Sequence, residues 1–155
     1  MTHLENFNSR GSLFFSLIEN NPGIRFNEIM KLTGLKNGVI SHYTQQLEYR
    51  GKIYSVRTPR VTRFYTQNIS EHIQILFKWL RQKTPQKILK ALLNGGLFFK
   101  ELVNKVEKSP SNTSYFISKL VNDHIVSLSL KNKKRFYEIN SDKKDQLLLL
   151  IQNTF

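Results

Sequence analysis

A chain of 155 residues has room for one ordinary domain or two small ones of roughly 70 residues each, and 39% hydrophobic content is enough to build a thin core in either case. The formal charge is +13, with 24 Lys and Arg against 11 Asp and Glu, which favours a polyanionic partner, either nucleic acid or an acidic membrane face. The chain contains no cysteine, so disulfides and thiolate metal sites are excluded.

The start, "MTHLENFNSR", has no apolar stretch of the kind that marks a signal peptide. The longest apolar runs, "LFFSLI" and "LLLLI", fall far short of the roughly eighteen residues that a spanning helix needs. A soluble, cytoplasmic protein with no membrane partner is expected. Phe14, Leu17 and Ile18 recur at helical spacing and predict a first helix that ends at "NNPG". After "IRF", Asn27 is expected to cap a helix carrying Ile29 and Leu32, stopped by Gly34. A further helix follows at once, with Ile40, Tyr43 and Leu47 as its apolar stripe and Gly51 at its end. "KIYSVR" and "VTRFYT", separated by a turn at Thr58–Pro59, read as the strands of a hairpin.

"SEHIQILFKWLRQK" is expected to be an amphipathic helix with Ile73, Leu76, Phe77 and Leu80 on one side. The order then repeats. Thr84–Pro85 opens a helix bearing Ile88, Leu89 and Leu92, with the proline suiting the first helical position. "FKELVNKV" is the next helix, and Ser109–Pro110 caps another with Phe116, Ile117 and Leu120 inward. "IVSLSL" alternates strictly, as a half-buried strand does, and "RFYEI" returns after the turn "KNKK". "SDKKDQLLLLIQN" is expected to close the chain as a helix.

Sliding the sequence on itself by 73 positions lays Ile24 over Leu97, Glu28 over Glu101, Ile29 over Leu102, Ser41 over Ser114 and Leu47 over Leu120. The tripeptide "RFY" recurs at an offset of 72, so one residue is lost in the hairpin region, where a loop tolerates it. The chain thus reads as one unit written twice. Three helices, the second and third joined by a tight turn, followed by a β-hairpin, is the order of a winged helix-turn-helix. "LTGLKNGVISHYTQQLEYRGKI" and "KSPSNTSYFISKLVNDHIV" resemble the turn and recognition helix of ArsR- and MarR-like transcription regulators, especially archaeal ones. The expected fold is mainly α with small β-hairpins (α+β): two tandem winged helix-turn-helix domains, residues 1–69 and 84–155, joined by a linker helix over residues 70–83.

The resemblance implies double-stranded DNA as partner, with the third helix of each copy in a major groove. In the first copy the positions off the apolar stripe are Lys36, Asn37, Ser41, His42, Gln45 and Gln46, with Gly38 allowing close backbone approach. Asn37, Ser41 and Gln45 form one i,i+4 row, and Asn and Gln suit bidentate pairing with adenine. In the second copy the face comprises Ser111, Asn112, Ser114, Tyr115, Ser118 and Lys119, which suits phosphate contact and weak base reading, or else packing and dimerisation. The hairpin tips add Arg57, Arg60 and Arg63 in one copy and Lys131, Lys133, Lys134 and Arg135 in the other. Arginines suit a narrow minor groove, and lysines suit phosphates.

The histidines and carboxylates are dispersed, and no phosphate-binding glycine loop, nucleophile elbow or zincin motif is present. No enzyme, metal site or cofactor is expected. The Cys- and His-based metal sites of some ArsR relatives have no counterpart in the sequence. The function expected is sequence-specific transcription regulation at the nucleoid. A protein-binding tandem scaffold and a non-specific chromatin or RNA binder are the alternatives. The two copies could act as a covalent pseudo-dimer, or Leu147–Ile151 and the linker helix could pair two chains.

Overall fold

The fold is seen in a computed structural model that describes the backbone of residues 3–155 and the side chains from residue 9 onward. Residues 1–2 and the side chains of residues 3–8, including His3, therefore lie outside what is described. The chain divides into two compact units, Met1–Gln74 and Ile75–Phe155.

The first unit opens with α1 (His3–Asn20), which stops where Pro22 and Gly23 (φ 81°) turn the chain and Asn21 Nδ2 donates to the Leu17 carbonyl at 2.9 Å. Strand β1 (Ile24–Arg25) leads directly into α2 (Phe26–Thr33). Gly34, left-handed at φ 69°, closes α2 by donating to the Met30 carbonyl at 2.9 Å. Helix α3 (Asn37–Tyr49) follows after a short turn, and then the hairpin of β2 (Tyr54–Arg57) and β3 (Thr62–Tyr65). The sheet order is β1-β3-β2, antiparallel, with Ile24 opposite Phe64 and Ser55 opposite Phe64 from the other side. Phe14, Ile18, Ile24, Ile29, Ile40, Leu47, Ile53 and Phe64 form one buried cluster drawn from the three helices, β1, β3 and the approach to β2. Each fully buried side chain of this size stabilises the fold by about 1.5–3 kcal/mol.

Helix α4 (Glu71–Leu80) runs from the first unit into the second. The second unit continues with α5 (Lys83–Leu93), β4 (Leu97–Phe98), α6 (Phe99–Val106), α7 (Pro110–Asn122), β5 (Val126–Lys131), β6 (Lys134–Ile139) and α8 (Ser141–Thr154). Its sheet order, β4-β6-β5, repeats that of the first, and α7 matches α3 in length at 13 residues. Leu76, Leu80, Ile88, Leu89, Leu102, Leu120 and Leu147 are buried to 0% exposure and carry its core. Trp79 joins them and donates from Nε1 to Asp123 Oδ2 at 2.6 Å, tying α4 to the end of α7.

The 73-residue offset acquires physical content at three places. Glu28 accepts the Arg25 backbone N–H at 3.2 Å, and Glu101 accepts that of Phe98 at 3.0 Å, so both carboxylates cap the same helix start. Gly34 and Glu107 both close their helices in the left-handed region, at φ 69° and 58°. Gly51 and His124 do the same after α3 and α7, also at 69° and 58°.

Four local expectations change. Asn27 is not the cap of α2; the helix starts at Phe26 with Arg25 at the N-cap, because Glu28 satisfies the backbone from the other side. Pro85 is the third residue of α5 rather than the first, a place where a missing N–H is still harmless. Leu32 is 64% exposed, since a two-turn helix buries Ile29 and half-buries Phe26 and Met30, leaving Leu32 off that stripe. The alternation of "IVSLSL" is half-buried only at its start: Val126 is buried, whereas Leu128 and Leu130 are 44% and 72% exposed.

Candidate nucleic-acid interface

In each unit the third helix and the hairpin carry the polar and cationic residues that the sequence singles out. On α3, Asn37, Gly38, His42 and Gln45 are exposed, Ser41 and Gln46 are half-buried, and Lys36 stands exposed at the N-cap. The opposite side of the helix buries Ile40, Thr44 and Leu47, which fixes the polar row outward. Thr44 bonds its own helix, donating to the Ile40 carbonyl at 2.8 Å, and so satisfies its buried hydroxyl. The row Asn37, Ser41, Gln45 continues one turn further to Tyr49, which is 91% exposed. Sequence reading missed this residue, although the i,i+4 spacing of the row itself points to it.

Helix α7 presents Ser111, Asn112, Ser118 and Lys119 exposed, Tyr115 at 58% exposure and Ser114 half-buried. Ser109 caps it, accepting the Asn112 N–H at 3.1 Å. The Ser118 hydroxyl donates to the Ser114 carbonyl at 2.8 Å, and Lys119 Nζ lies 5.5 Å from the Tyr115 ring centroid. Neither α3 nor α7 has an acidic residue in its first turn, so the positive ends of their helix dipoles are not neutralised from within.

Glu48 is the one carboxylate in α3, and it does not confront a polyanion unpaired: Arg57 of the hairpin holds it at 3.1 Å. Arg57 also donates to the Ser55 hydroxyl. Exposed as this pair is, it contributes little to stability; its effect is to mask the negative charge on the polar helix. Arg60 is exposed at the tip, in a turn held by Thr58, whose backbone N–H donates to the Val61 carbonyl at 2.9 Å. Arg63, the second residue of β3 and opposite Val56, is half-buried and donates to the Gly23 carbonyl at 3.0 Å, bracing β1 against β3.

The second hairpin is longer, six residues per strand against four. Its tip is a two-residue loop, Asn132–Lys133, closed by the pair Lys131 and Lys134. Both loop residues have positive φ, 52° and 63°, the signature of a type I′ turn. Lys131, Lys133, Lys134 and Arg135 are all exposed, and Lys131 Nζ lies 3.8 Å above the Phe136 ring. The Phe136 ring packs edge-on to Phe98, centroids 5.1 Å apart.

A cleft separates the hairpin from the start of the second helix in both units. In the first it has a volume of about 300 Å³, with Arg25 and Asn27 on one wall and Arg60 on the other. In the second it holds about 350 Å³ between Lys100 and Ser114 on one side and Lys134 and Arg135 on the other. Each is lined by cations from separate elements, a setting that suits an anion. Among the described residues no group of three or more histidines, aspartates and glutamates could hold a metal ion, and no helix is long and apolar enough to cross a membrane. With no cysteine in the chain, the donor set does not fit a thiolate metal sensor.

Residues 83–127 match the family described as "Bacterial regulatory protein, arsR family". That segment spans α5 to the start of β5 and includes the helix-turn-helix of the second unit. The family is one of DNA-binding regulators, not of enzymes. Among solved structures the chain is similar to HlyU from Vibrio cholerae, at 26% identity over 52% of this chain and 89% of that one, with a TM-score of 0.48. It is similar to NolR from Sinorhizobium fredii at 24% identity, over 56% and 93% of the two chains with a TM-score of 0.47. The homodimeric winged helix-turn-helix DNA-binding domain of Mb0332 from Mycobacterium bovis shares 16% identity, over 55% of this chain and 85% of that one, with a TM-score of 0.47. No curated protein matches the chain.

Proposed function

We propose that the protein is a sequence-specific, double-stranded DNA-binding transcription regulator acting through two tandem winged helix-turn-helix units, residues 1–69 and 84–155, with residues 70–83 linking them. The observation that carries this reading is the same pairing in both units: an outward helix face without an unmasked carboxylate beside a cationic hairpin. A protein-binding scaffold would have no use for that arrangement or for a charge of +13.

The two faces divide the work. In the first unit Asn37, Ser41, Gln45 and Gln46, flanked by Lys36 and His42, read base edges in the major groove, and Gly38 lets the helix approach closely. Arg60 reaches the minor groove or its phosphates, while Arg57 screens Glu48 and Arg63 holds the hairpin in position. In the second unit Ser111, Asn112, Ser114, Tyr115, Ser118 and Lys119 contact the backbone with some base reading, and Lys131, Lys133, Lys134 and Arg135 supply phosphate contacts. Two such units on one chain can span successive grooves about 34 Å apart. The exposed Leu148 and Leu149 of α8 give a second copy an apolar patch to pair on. The protein would work in the cytoplasm, at the nucleoid.

Paired substitutions test the division of roles. Gln45→Ala is expected to lower the preference for a selected duplex over a random one by roughly tenfold or more. Lys133→Ala is expected to weaken both duplexes alike and to flatten the salt slope by about 0.9. The reverse pattern would overturn the assignment.

A further inference from the structure

We infer that the second hairpin is a DNA-deforming wedge, with Leu130 entering the duplex at a base step; this rests on the DNA-binding reading above. Along β5, Val126, Leu128 and Leu130 share one face, and opposite them on β6 stand Ile139, Tyr137 and Arg135. The face begins as core: Val126, Tyr137 and Ile139 are 1%, 3% and 9% exposed. It then runs out past the body of the unit, so that Leu128 is 44% and Leu130 72% exposed. A lone exposed leucine needs no explanation. Here, however, two leucines continue a core face into solvent, and the outer one shares that face with Arg135 beside a lysine-bearing tip.

Leu130 is followed at once by Lys131, lies directly across the ladder from Arg135, and is one turn away from Lys133 and Lys134. Charge of this density at an apolar residue fits a polyanion whose interior is apolar, which describes the stacked bases of a duplex. The tip is narrow and stiff: a two-residue loop with both φ values positive, and Lys131 laid back over Phe136 on the other face. The first hairpin lacks the device. At the matching ladder position, opposite Arg63, it has Val56, which is half-buried, and its strands are two residues shorter.

Leu130 would therefore part a flexible pyrimidine–purine step while the surrounding lysines and Arg135 hold the phosphates on either side, kinking the duplex by tens of degrees. Specificity would arise at a position that makes no base hydrogen bond.

The test uses the full chain and a duplex of about 30 base pairs with 2-aminopurine at a central TA step and a dye at each end for energy transfer. Wild-type binding is expected to raise 2-aminopurine fluorescence severalfold and to shorten the end-to-end distance. Leu130→Ser is expected to remove both signals and to keep the wild-type salt slope, because the lysines remain. A steep salt slope without any Leu130-dependent signal would overturn the wedge and leave the DNA reading intact. Binding by neither form would overturn both. If Leu130→Ser instead converts a dimer to a monomer in sedimentation and leaves the bend unchanged, the leucine face belongs to a second copy and the wedge is wrong.

Discussion

Lys133 occupies the second central position of a type I′ loop at φ 63°, where glycine is the preferred residue. A lysine backbone held in the left-handed region costs about 1–2 kcal/mol, and replacing it with glycine gives back about 0.5–1 kcal/mol through the freer unfolded chain. Lys133→Gly should therefore stabilise the second unit by about 0.5–1 kcal/mol, a rise in Tm of roughly 2–8 °C for a unit of this size. The same change removes a cation from the tip, so DNA affinity falls and the slope of log K against log salt flattens by about 0.9. Lys133→Ala separates the two effects: it loses the charge and keeps the strained conformation. Denaturant unfolding and a salt series of duplex binding, run on both variants, measure the two quantities independently. The expected result is one variant more stable than wild type and one not, with equal losses in binding. Equal stability of the glycine and alanine variants would refute the strain argument. Unchanged binding in both would remove Lys133 from the interface.

Four further substitutions have defined expected effects. Glu107→Gly is expected to gain up to about 1 kcal/mol and Gly34→Ala to lose about as much, since both positions are left-handed helix ends and only one of them has glycine; chemical denaturation measures each. Thr113 is fully buried and its Oγ1 has no hydrogen-bond partner among the described residues, so Thr113→Val should stabilise by about 1–2 kcal/mol in the same assay. A Cβ at Gly96 would lie 2.3 Å from the Phe136 ring, which is fixed between Phe98 and Lys131, so Gly96→Ala should cost about 1–3 kcal/mol and loosen the second hairpin, visible as lost thermal stability.

The repeat was legible because the residues that set helix ends are local. Glu28 and Glu101 stand out in the sequence as a matched pair, and the structure gives both the same capping bond. The order of helices and hairpins followed from apolar spacing, Ser109–Pro110 and the glycines. The strands β1 and β4 were not visible, because two residues carry no periodicity; they exist only through pairing with β3 and β6. The same is true of contacts made across long sequence separations. Nothing near Trp79 announces Asp123, and nothing near Arg63 announces the Gly23 carbonyl.

At the candidate interface, residue type and position in the repeat point to cationic tips and polar faces, but not to which charges are already engaged. Arg57 and Glu48 are nine positions apart and meet only because the chain turns after α3. The exposed leucines were hidden by their own pattern. Strict alternation in "VSLSLK" reads as a buried face, and only the length of the hairpin relative to the body reveals that the outer half has nothing to pack on.

The central claim is base reading by a strongly cationic pair of units on duplex DNA. Its most direct test is the affinity of the full chain for a duplex selected from random sequence and for an unselected one, followed across a salt series from about 50 to 200 mM. A regulator of the kind argued here gives steep, parallel salt slopes, with the selected duplex bound more tightly by a factor of about 10³ or more. Affinities that coincide at every salt concentration, or binding that is absent near 100 mM, would contradict it.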